Sequence, residues 1–277
     1  GPIRTQGVLV ELKDLWAGYV PDQPVLRGIS LSVRDGEHVA VVGRTGAGKS
    51  TLLHLLGGLY EPWSGTIRVA GIDPRALGED ERRKAVGAVP QAIHLFSGTV
   101  RENITLRDAS VSDEAVARAL AICGADGVVN RLPEGLETPL AGAGGGEGAQ
   151  LSAGQKQLLA LARALVHQPP VLLLDEATAA TDSQSEVALQ QAMRSEATGR
   201  DHAVLIVAHR LSTARQADRV VLLDAGRIVE QGSPADLIRS GGRFAALLEL
   251  EAAGWDWRAS DSGELPGPGN GQQDHRR

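Results

Sequence analysis

A glycine-rich loop between a short apolar run and a helical pattern is the feature that most constrains this chain. The apolar run covers residues 39–42, and the helical pattern continues from the loop through Leu59. Backbone N–H groups of such a loop, with a helix N-terminus behind them, point at phosphate oxygens. The sequence therefore predicts a nucleoside triphosphate site. The predicted phosphate loop matches G-x-x-x-x-G-K-[ST] and consists of Gly43, Arg44, Thr45, Gly46, Ala47, Gly48, Lys49, Ser50 and Thr51.

Two residues of the phosphate loop have further predicted roles. Lys49 supplies a positive charge that reaches the β and γ phosphates, which makes it a candidate catalytic residue. The hydroxyl of Ser50 is a candidate ligand of the Mg²⁺ ion that accompanies the nucleotide. The alternative, an accidental lysine in a glycine-rich turn, is disfavoured because a strand pattern precedes the loop and a helix pattern follows it.

The hydrophobic pattern predicts an α/β fold. Continuous apolar runs at residues 171–174 and 204–207, like the one at 39–42, indicate buried parallel strands, whereas alternation at residues 8–12 indicates an antiparallel strand. Residues 93–168 are mostly helical in pattern. The predicted fold is a P-loop NTPase core with a mixed, mainly parallel sheet, an N-terminal antiparallel β subdomain and an inserted α-helical subdomain.

Composition sets the expected boundaries and excludes some partners. Residues 1–2 resemble the scar left by a tag-removing protease, so we expect a piece of a longer protein with its domain at residues 3–252. Residues 253–277 are expected to be a disordered tail. With a formal charge of −6, a sequence pI near 5.7 and no long basic block, the chain is not expected to bind nucleic acid. Its sequence has no run of about 18 apolar residues that would cross a membrane.

Three polar residues follow two of the predicted parallel strands. Asp175 and Glu176 come after residues 171–174, and adjacent strand positions point to opposite faces. We therefore assign Asp175 to the metal and Glu176 to polarising the attacking water. His209 follows the run at 204–207 and is a candidate contact of the γ-phosphate. The alternatives are an ordinary polar strand end and a histidine with a local structural partner.

The segment Leu151-Ser152-Ala153-Gly154-Gln155 and the helical pattern after it resemble the signature segment of ABC ATPases. The usual family sequence is Leu-Ser-Gly-Gly-Gln, so Ala153 replaces a glycine. The resemblance implies ATP and Mg²⁺ as cofactors and a second nucleotide-binding domain, identical or related, as a partner. It also implies that Ser152, Ala153, Gly154 and Gln155 contact the γ-phosphate of the ATP held by that partner, as an exposed helix N-terminus suits an anion.

Other positions are similar to further elements of the same family. Tyr19 resembles the aromatic residue that stacks on adenine. Gln91 resembles the glutamine that joins the two lobes, contacts Mg²⁺ or the attacking water, and reports the nucleotide state to the membrane domain. Residues 95–104 resemble the stretch that receives membrane-domain helices in exporters, so such helices are expected to dock near residues 91–104.

The resemblance implies the ATPase domain of an ABC exporter at the cytoplasmic face of a membrane. An ATPase subunit of an importer is the first alternative, and the exporter-like stretch disfavours it. A non-transport ABC ATPase would be expected to have two cassettes, long insertions or basic arms, which the sequence lacks. A degenerate cassette that binds ATP without hydrolysing it is disfavoured by Glu176 and His209.

Overall fold

The computed structural model describes residues 7–142, 148–175 and 202–258. Its strands are β1 (Val8–Ala17), β2 (Leu26–Arg34), β3 (His38–Val42), β4 (Ser64–Val69), β5 (Val86–Val89), β6 (Gly98–Thr99), β7 (Pro139–Leu140), β8 (Val171–Asp175), β9 (Ala203–Val207), β10 (Arg219–Asp224) and β11 (Arg227–Gly232). Its α-helices are α1 (Lys49–Leu56), α2 (Glu79–Ala85), α3 (Val100–Thr105), α4 (Asp113–Cys123), α5 (Asp126–Val129), α6 (Ala153–Leu165), α7 (Leu211–Ala214), α8 (Pro234–Arg239) and α9 (Arg243–Ala252). Single 3₁₀ turns lie at Pro74–Ala76 and Gly135–Glu137.

The larger sheet has the order β11-β10-β3-β9-β8-β5, and all of its strands except β11 run parallel. Strand β3 shows why the parallel strands read as continuous apolar runs. Val39 and Val41 belong to the core on one face of the sheet, while Ala40 and Val42 belong to the core on the other face. Because both faces are covered, the four buried positions from Val39 to Val42 are all apolar. The predicted α/β core with a mainly parallel sheet is confirmed.

The smaller sheet is antiparallel with the order β2-β1-β4. Its strands alternate between buried and exposed residues because one face packs against α1 and the larger sheet. Leu52, Leu55 and Leu56 of α1 lie in that shared core. This packing fixes where α1 begins relative to β3, and hence the shape of the phosphate loop between them.

The inserted α-helical subdomain, called the helical lobe below, packs on the opposite face of the larger sheet. Its helices α3 and α4 pack against α6. Helix α4 begins after Ser112, whose Oγ accepts the N–H of Ala115, and it ends at Gly124, which has a φ of +66°. These are a side-chain N-cap and a left-handed C-terminal glycine. Cys123, on the last turn of α4, is fully buried, and burial raises the pKa of its thiol to about 12. It is a packing residue.

The C-terminal part continues beyond the predicted domain end. After α9, the side chain of Trp257 is only 3% exposed and belongs to the core that the lobe shares with the sheet. Residues 253–258, which fall within the stretch expected to be a tail, include this buried side chain, because one large apolar residue can pack a short segment onto a core. Residues beyond 258 lie outside the described part of the chain.

The parallel strands carry their C-terminal ends to one edge of the larger sheet. The phosphate loop follows β3 there, Gln91 follows β5, and His209 follows β9, while Asp175 is the last residue of β8. Ligands of open α/β sheets bind at this edge. In the ranges that the structure describes, no helix is both long and apolar enough to cross a membrane.

Candidate nucleotide-binding site

The phosphate loop has a shape that only glycine permits at two of its positions. Gly48 precedes helix α1 with a φ of +103°, and a Cβ built on it would lie 2.5 Å from Cδ2 of Leu26. A Cβ on Gly43 would lie 2.3 Å from the carbonyl oxygen of Leu223. Both approaches are too close for any side chain, so the neighbouring strands hold the loop curled over the start of α1.

Lys49 is the first residue of α1 and is only 7% exposed. Its Nζ donates to the carbonyl oxygen of Gly43 at 2.6 Å and to that of Arg44 at 2.8 Å. Burial lowers the pKa of Lys49 to about 8; the negative charge of Asp175 opposes this shift and the positive charge of Arg258 adds to it. The loop therefore holds a cation whose solvation is incomplete, and a phosphate oxygen would supply what is missing.

A cleft of about 670 Å³ opens in front of the phosphate loop. We call it the nucleotide cleft. It brings together residues that are far apart in sequence and that we predicted separately. Its lining residues are Tyr19, Val25, Thr45, Gly46, Gly48, Lys49, Ser50, Thr51, Gln91, His209, Asp256 and Arg258.

Tyr19 forms one wall of the nucleotide cleft. Its hydroxyl lies 3.0 Å from Oγ1 of Thr51, at the start of α1, and its side chain is 54% exposed. The ring of Tyr60 meets the Tyr19 ring edge-on, with centroids 5.3 Å apart and an interplanar angle of 85°. These contacts hold the ring of Tyr19 in place while leaving surface that a planar base can cover.

Asp175 and His209 lie next to each other at the ends of the adjacent strands β8 and β9. Nε2 of His209 is 3.2 Å from Oδ1 of Asp175. The contact follows from the parallel pairing of β8 and β9, which ends both strands at the same edge of the sheet. Glu176, assigned to the attacking water, lies outside the described residues.

The donors near the phosphate loop suit Mg²⁺. Ser50 and Gln91 line the nucleotide cleft and offer a hydroxyl and an amide oxygen, and Asp175 offers a carboxylate. In the described ranges, no group of three or more His, Cys, Asp or Glu side chains forms a metal cage. A few oxygen ligands without a cage fit an ion that is held largely by substrate phosphates and water.

The signature segment (residues 151–155) lies at the start of helix α6, as predicted, but not in the nucleotide cleft of its own chain. Oγ of Ser152 accepts the N–H of Gln155 at 3.2 Å, and Oε1 of Gln155 accepts the N–H of Ser152 at 2.9 Å. Ser152 and Ala153 are exposed, whereas Gly154 is buried. The described lining of the nucleotide cleft includes none of these residues.

Sequence reasoning missed three residues that line the nucleotide cleft, namely Val25, Asp256 and Arg258. Val25 precedes β2 and carries no chemical signal of its own. Asp256 and Arg258 lie within the stretch that was assigned to a tail. Trp257, whose side chain is buried, was a signal that this stretch packs on the domain, whereas Trp255 is exposed.

A phosphate loop between β3 and α1, at the C-terminal edge of a mainly parallel sheet, defines a P-loop nucleoside triphosphatase. The lobe that carries the signature segment narrows this class. The chain belongs to the ABC transporter family, whose sequence profile matches residues 26–179. The chain is a nucleotide-binding ATPase domain of this family.

Similar proteins include transporters from bacteria and fungi. The chain is 39% identical over 248 residues to the mycobactin import ATP-binding/permease protein IrtB of Mycolicibacterium thermoresistibile, covering 90% of this chain and 42% of IrtB. It is 42% identical over 250 residues to the ABC multidrug transporter mdr1 of Aspergillus fumigatus, covering 88% of this chain and 18% of the relative.

A solved structure shows the same fold. The structure of a bacterial Atm1-family ABC exporter with ATP bound matches with a TM-score of 0.76 and 38% sequence identity, covering 92% of this chain and 42% of that chain. The chain thus spans less than half the length of these relatives.

Proposed function

We propose that this chain is the ATP-hydrolysing domain of an exporter and forms half of each ATP site. One observation carries the proposal: Lys49, Gln91 and His209 line one nucleotide cleft, while the signature segment lies outside it. A second copy or a close relative would place its signature segment over the ATP. Two chains would then enclose two ATP molecules, and hydrolysis would separate them.

Each assigned residue then has one task. Tyr19 stacks on adenine, and the N–H groups of the phosphate loop hold the phosphates with Lys49. Mg²⁺, held by Ser50, Gln91 and Asp175, would neutralise the charge that develops on the phosphates. Glu176 orients the attacking water. His209 contacts the γ-phosphate, and its contact with Asp175 fixes the direction of the imidazole.

Membrane-domain helices are proposed to dock near residues 91–104, which places the chain at the cytoplasmic face of a membrane. Arg163 of α6 supports this site. Its Nε donates to the carbonyl oxygen of Asn103 at 2.7 Å and its Nη1 to that of His94 at 3.1 Å. Since Arg163 belongs to the helix that begins at the signature segment, closure over ATP would move the docking stretch together with that helix.

Import is the competing function, because the relative IrtB is named a mycobactin import protein. We favour export because the exporter-like stretch at residues 95–104 agrees with the Atm1-family exporter structure and the multidrug transporter relative. Reconstitution of the full-length protein, with ATP supplied only on the side of this domain, tests the direction. Cargo that accumulates on the opposite side supports export, and loss of cargo from that side supports import.

A mixing experiment tests the shared site. Lys49→Ala breaks the phosphate loop, and Ser152→Arg places a long side chain at the exposed signature segment. Each variant alone should lack turnover, because both sites of its dimer are broken. Mixing the two should restore turnover, since one site of the mixed dimer then combines an intact phosphate loop with an intact signature segment. A site built within one chain predicts no recovery on mixing.

The Glu176→Gln variant supplies the matched measurement of assembly. It retains ATP binding but should not turn over, so ATP-Mg should convert it from monomer to dimer in sedimentation. Adding Lys49→Ala to that variant is the control, and it should remain monomeric. Dimerisation of Glu176→Gln without nucleotide would contradict the role of ATP in joining the two chains.

A further inference from the structure

The segment after α9 returns to the mouth of the nucleotide cleft. We call residues 254–258 the tail segment. The carbonyl oxygen of Arg258 accepts the backbone N–H of Thr45 at 3.4 Å. Thr45 belongs to the phosphate loop, whose N–H groups serve to hold phosphate. A peptide carbonyl of the chain itself thus engages one of the donors that a bound nucleotide would use.

Two side chains of the tail segment also line the nucleotide cleft. Oδ1 of Asp256 accepts Nε of Arg258 at 2.7 Å and the backbone N–H of Arg258 at 3.1 Å, which folds the segment into a compact turn. Nη1 of Arg258 donates to the carbonyl oxygen of His209 at 3.3 Å. The tail segment therefore contacts both the phosphate loop and the residue proposed to touch the γ-phosphate.

Packing holds the tail segment in this position. The side chain of Trp257 is buried, and its Nε1 donates to Oε1 of Glu251 at 3.4 Å. The same carboxylate oxygen accepts the N–H of Leu211 at 3.2 Å, at the start of α7. Because α7 follows His209 directly, the anchor of the tail segment and the wall of the nucleotide cleft belong to one connected structure.

The paired charges of the tail segment give it little net attraction for a triphosphate. The carboxylate of Asp256 repels phosphate, and its pairing with Arg258 occupies the guanidinium that could otherwise attract it. The positive charge that Arg258 brings near Lys49 is offset by this pairing. While the tail segment stays in place, the nucleotide cleft is partly filled by a neutral pair and a carbonyl group.

We propose that the tail segment is an internal competitor of ATP, which must leave the phosphate loop before the triphosphate binds fully. The contact with Thr45 and the position of Asp256 and Arg258 in the nucleotide cleft carry this proposal. It rests on the proposed function, since it concerns the regulation of the same ATP site. Removal of the contacts of Arg258 should then favour nucleotide binding.

The test is the ATP-Mg affinity of Arg258→Ala and Asp256→Asn, measured by calorimetry in the Glu176→Gln background. Each variant should bind ATP about two- to tenfold more tightly, the factor expected when one or two competing hydrogen bonds are lost. Arg239→Ala is the matched control, because Arg239 is 76% exposed on α8 and the charge change is the same. Its affinity should not change.

Weaker binding by Arg258→Ala would overturn the proposal and make Arg258 a phosphate ligand. Unchanged binding by both variants would overturn it as well. If the Glu176→Gln parent does not bind ATP, the proposed function is refuted. If the parent binds ATP and neither substitution changes its affinity, only the proposal that the tail segment competes with ATP is refuted. As a second readout, ATP-Mg should accelerate tryptic cleavage after Arg258, whereas protection by ATP would contradict displacement of the tail segment.

Discussion

Two helices of this chain begin with sequences that the ABC ATPase family assigns to phosphate, yet their first turns differ. Helix α1 follows Gly48, which has no side chain to cap the helix, and its start faces the nucleotide cleft. Helix α6 follows Ser152, whose hydroxyl and the side chain of Gln155 satisfy each other's backbone N–H groups in a capping box.

The difference indicates how the two halves of an ATP site are prepared. The N–H groups around α1 are presented to an anion before any partner arrives. The start of α6 is already capped as a surface helix, and in the proposed dimer it would add its dipole and hydroxyl when another chain's phosphate reaches it. In the proposed dimer, one half of the site would bind the nucleotide, and the other half would recognise that nucleotide has bound.

Two lysines in the first turns of these helices test the comparison most severely. Lys49→Ala removes a buried charge from the phosphate loop and should lower ATP turnover by about 10²–10³-fold, the usual cost of losing one preorganised donor to a transferring group. Lys156→Ala is the control for nucleotide binding by the monomer, and calorimetry should show unchanged ATP affinity. Equal losses of ATP affinity in Lys49→Ala and Lys156→Ala would contradict the distinction between the two helix starts.

The glycine that precedes α1 should be far less replaceable than a glycine in open space. Gly48→Ala adds a methyl group at a φ of +103° and only 2.5 Å from Leu26, so it should cost about 3 kcal/mol of unfolding free energy. Gly124→Ala at the end of α4 has a φ of +66° with no neighbour within 4 Å, so it should cost about 1 kcal/mol. Urea denaturation measures both, and equal costs would contradict the tight fit of the phosphate loop.

Two serine caps separate a structural role from a role toward the partner's ATP. Ser152→Ala and Ser112→Ala each remove an N-cap hydroxyl within the helical lobe and should each cost about 1 kcal/mol of stability. Only Ser152→Ala should also lower turnover, by about tenfold, because a hydrogen bond to a charged phosphate is lost. Thermal denaturation measures the stability of both variants, and ATPase assays measure their turnover. Equal turnover in the two variants would mean that Ser152 serves only as a helix cap.

The lowered pKa of Lys49 predicts a pH dependence that belongs to the phosphate loop. Without nucleotide Lys49 loses its proton as pH rises through about 8, whereas bound phosphate favours the charged form. Above pH 8 binding therefore takes up a proton, and ATP affinity should fall by up to about tenfold per pH unit. Calorimetry from pH 7.5 to 9.5 measures this slope. Ser152→Ala is the control and should show the same fall of ATP affinity with pH. A wild-type affinity that stays constant over this range would contradict the prediction.

The same shift gives the sign of the stability effect. The pKa of an unperturbed lysine is 10.5, so between about pH 8 and that value the unfolded chain binds more protons than the folded chain. Unfolding therefore becomes more costly as pH rises across this window. Lys49→Met should abolish this rise in the free energy of unfolding, while Lys156→Met should retain it.

Local patterns in the sequence predicted much of the fold. Continuous apolar runs such as residues 39–42 identified the parallel strands because burial on both faces leaves no polar positions. Residues 93–168 were predicted to be mostly helical from their pattern, and within them helix α4 lies between Ser112 and Gly124. The alternation at residues 8–12 identified the antiparallel strand β1 because one face of its sheet is exposed. All of these signals act between near neighbours in the chain.

The sequence by itself determined the chemistry of this protein: a phosphate loop, an acid at the end of β8, a histidine after β9 and a signature segment at a helix start. Only the tertiary structure decided which of them share a cleft. It placed Tyr19, Gln91 and His209 around the phosphate loop, left Ser152 outside, and brought Arg258 in. Motifs depend on short spacings, whereas the contact between Arg258 and Thr45 depends on the packing of Trp257, more than 200 residues along the chain.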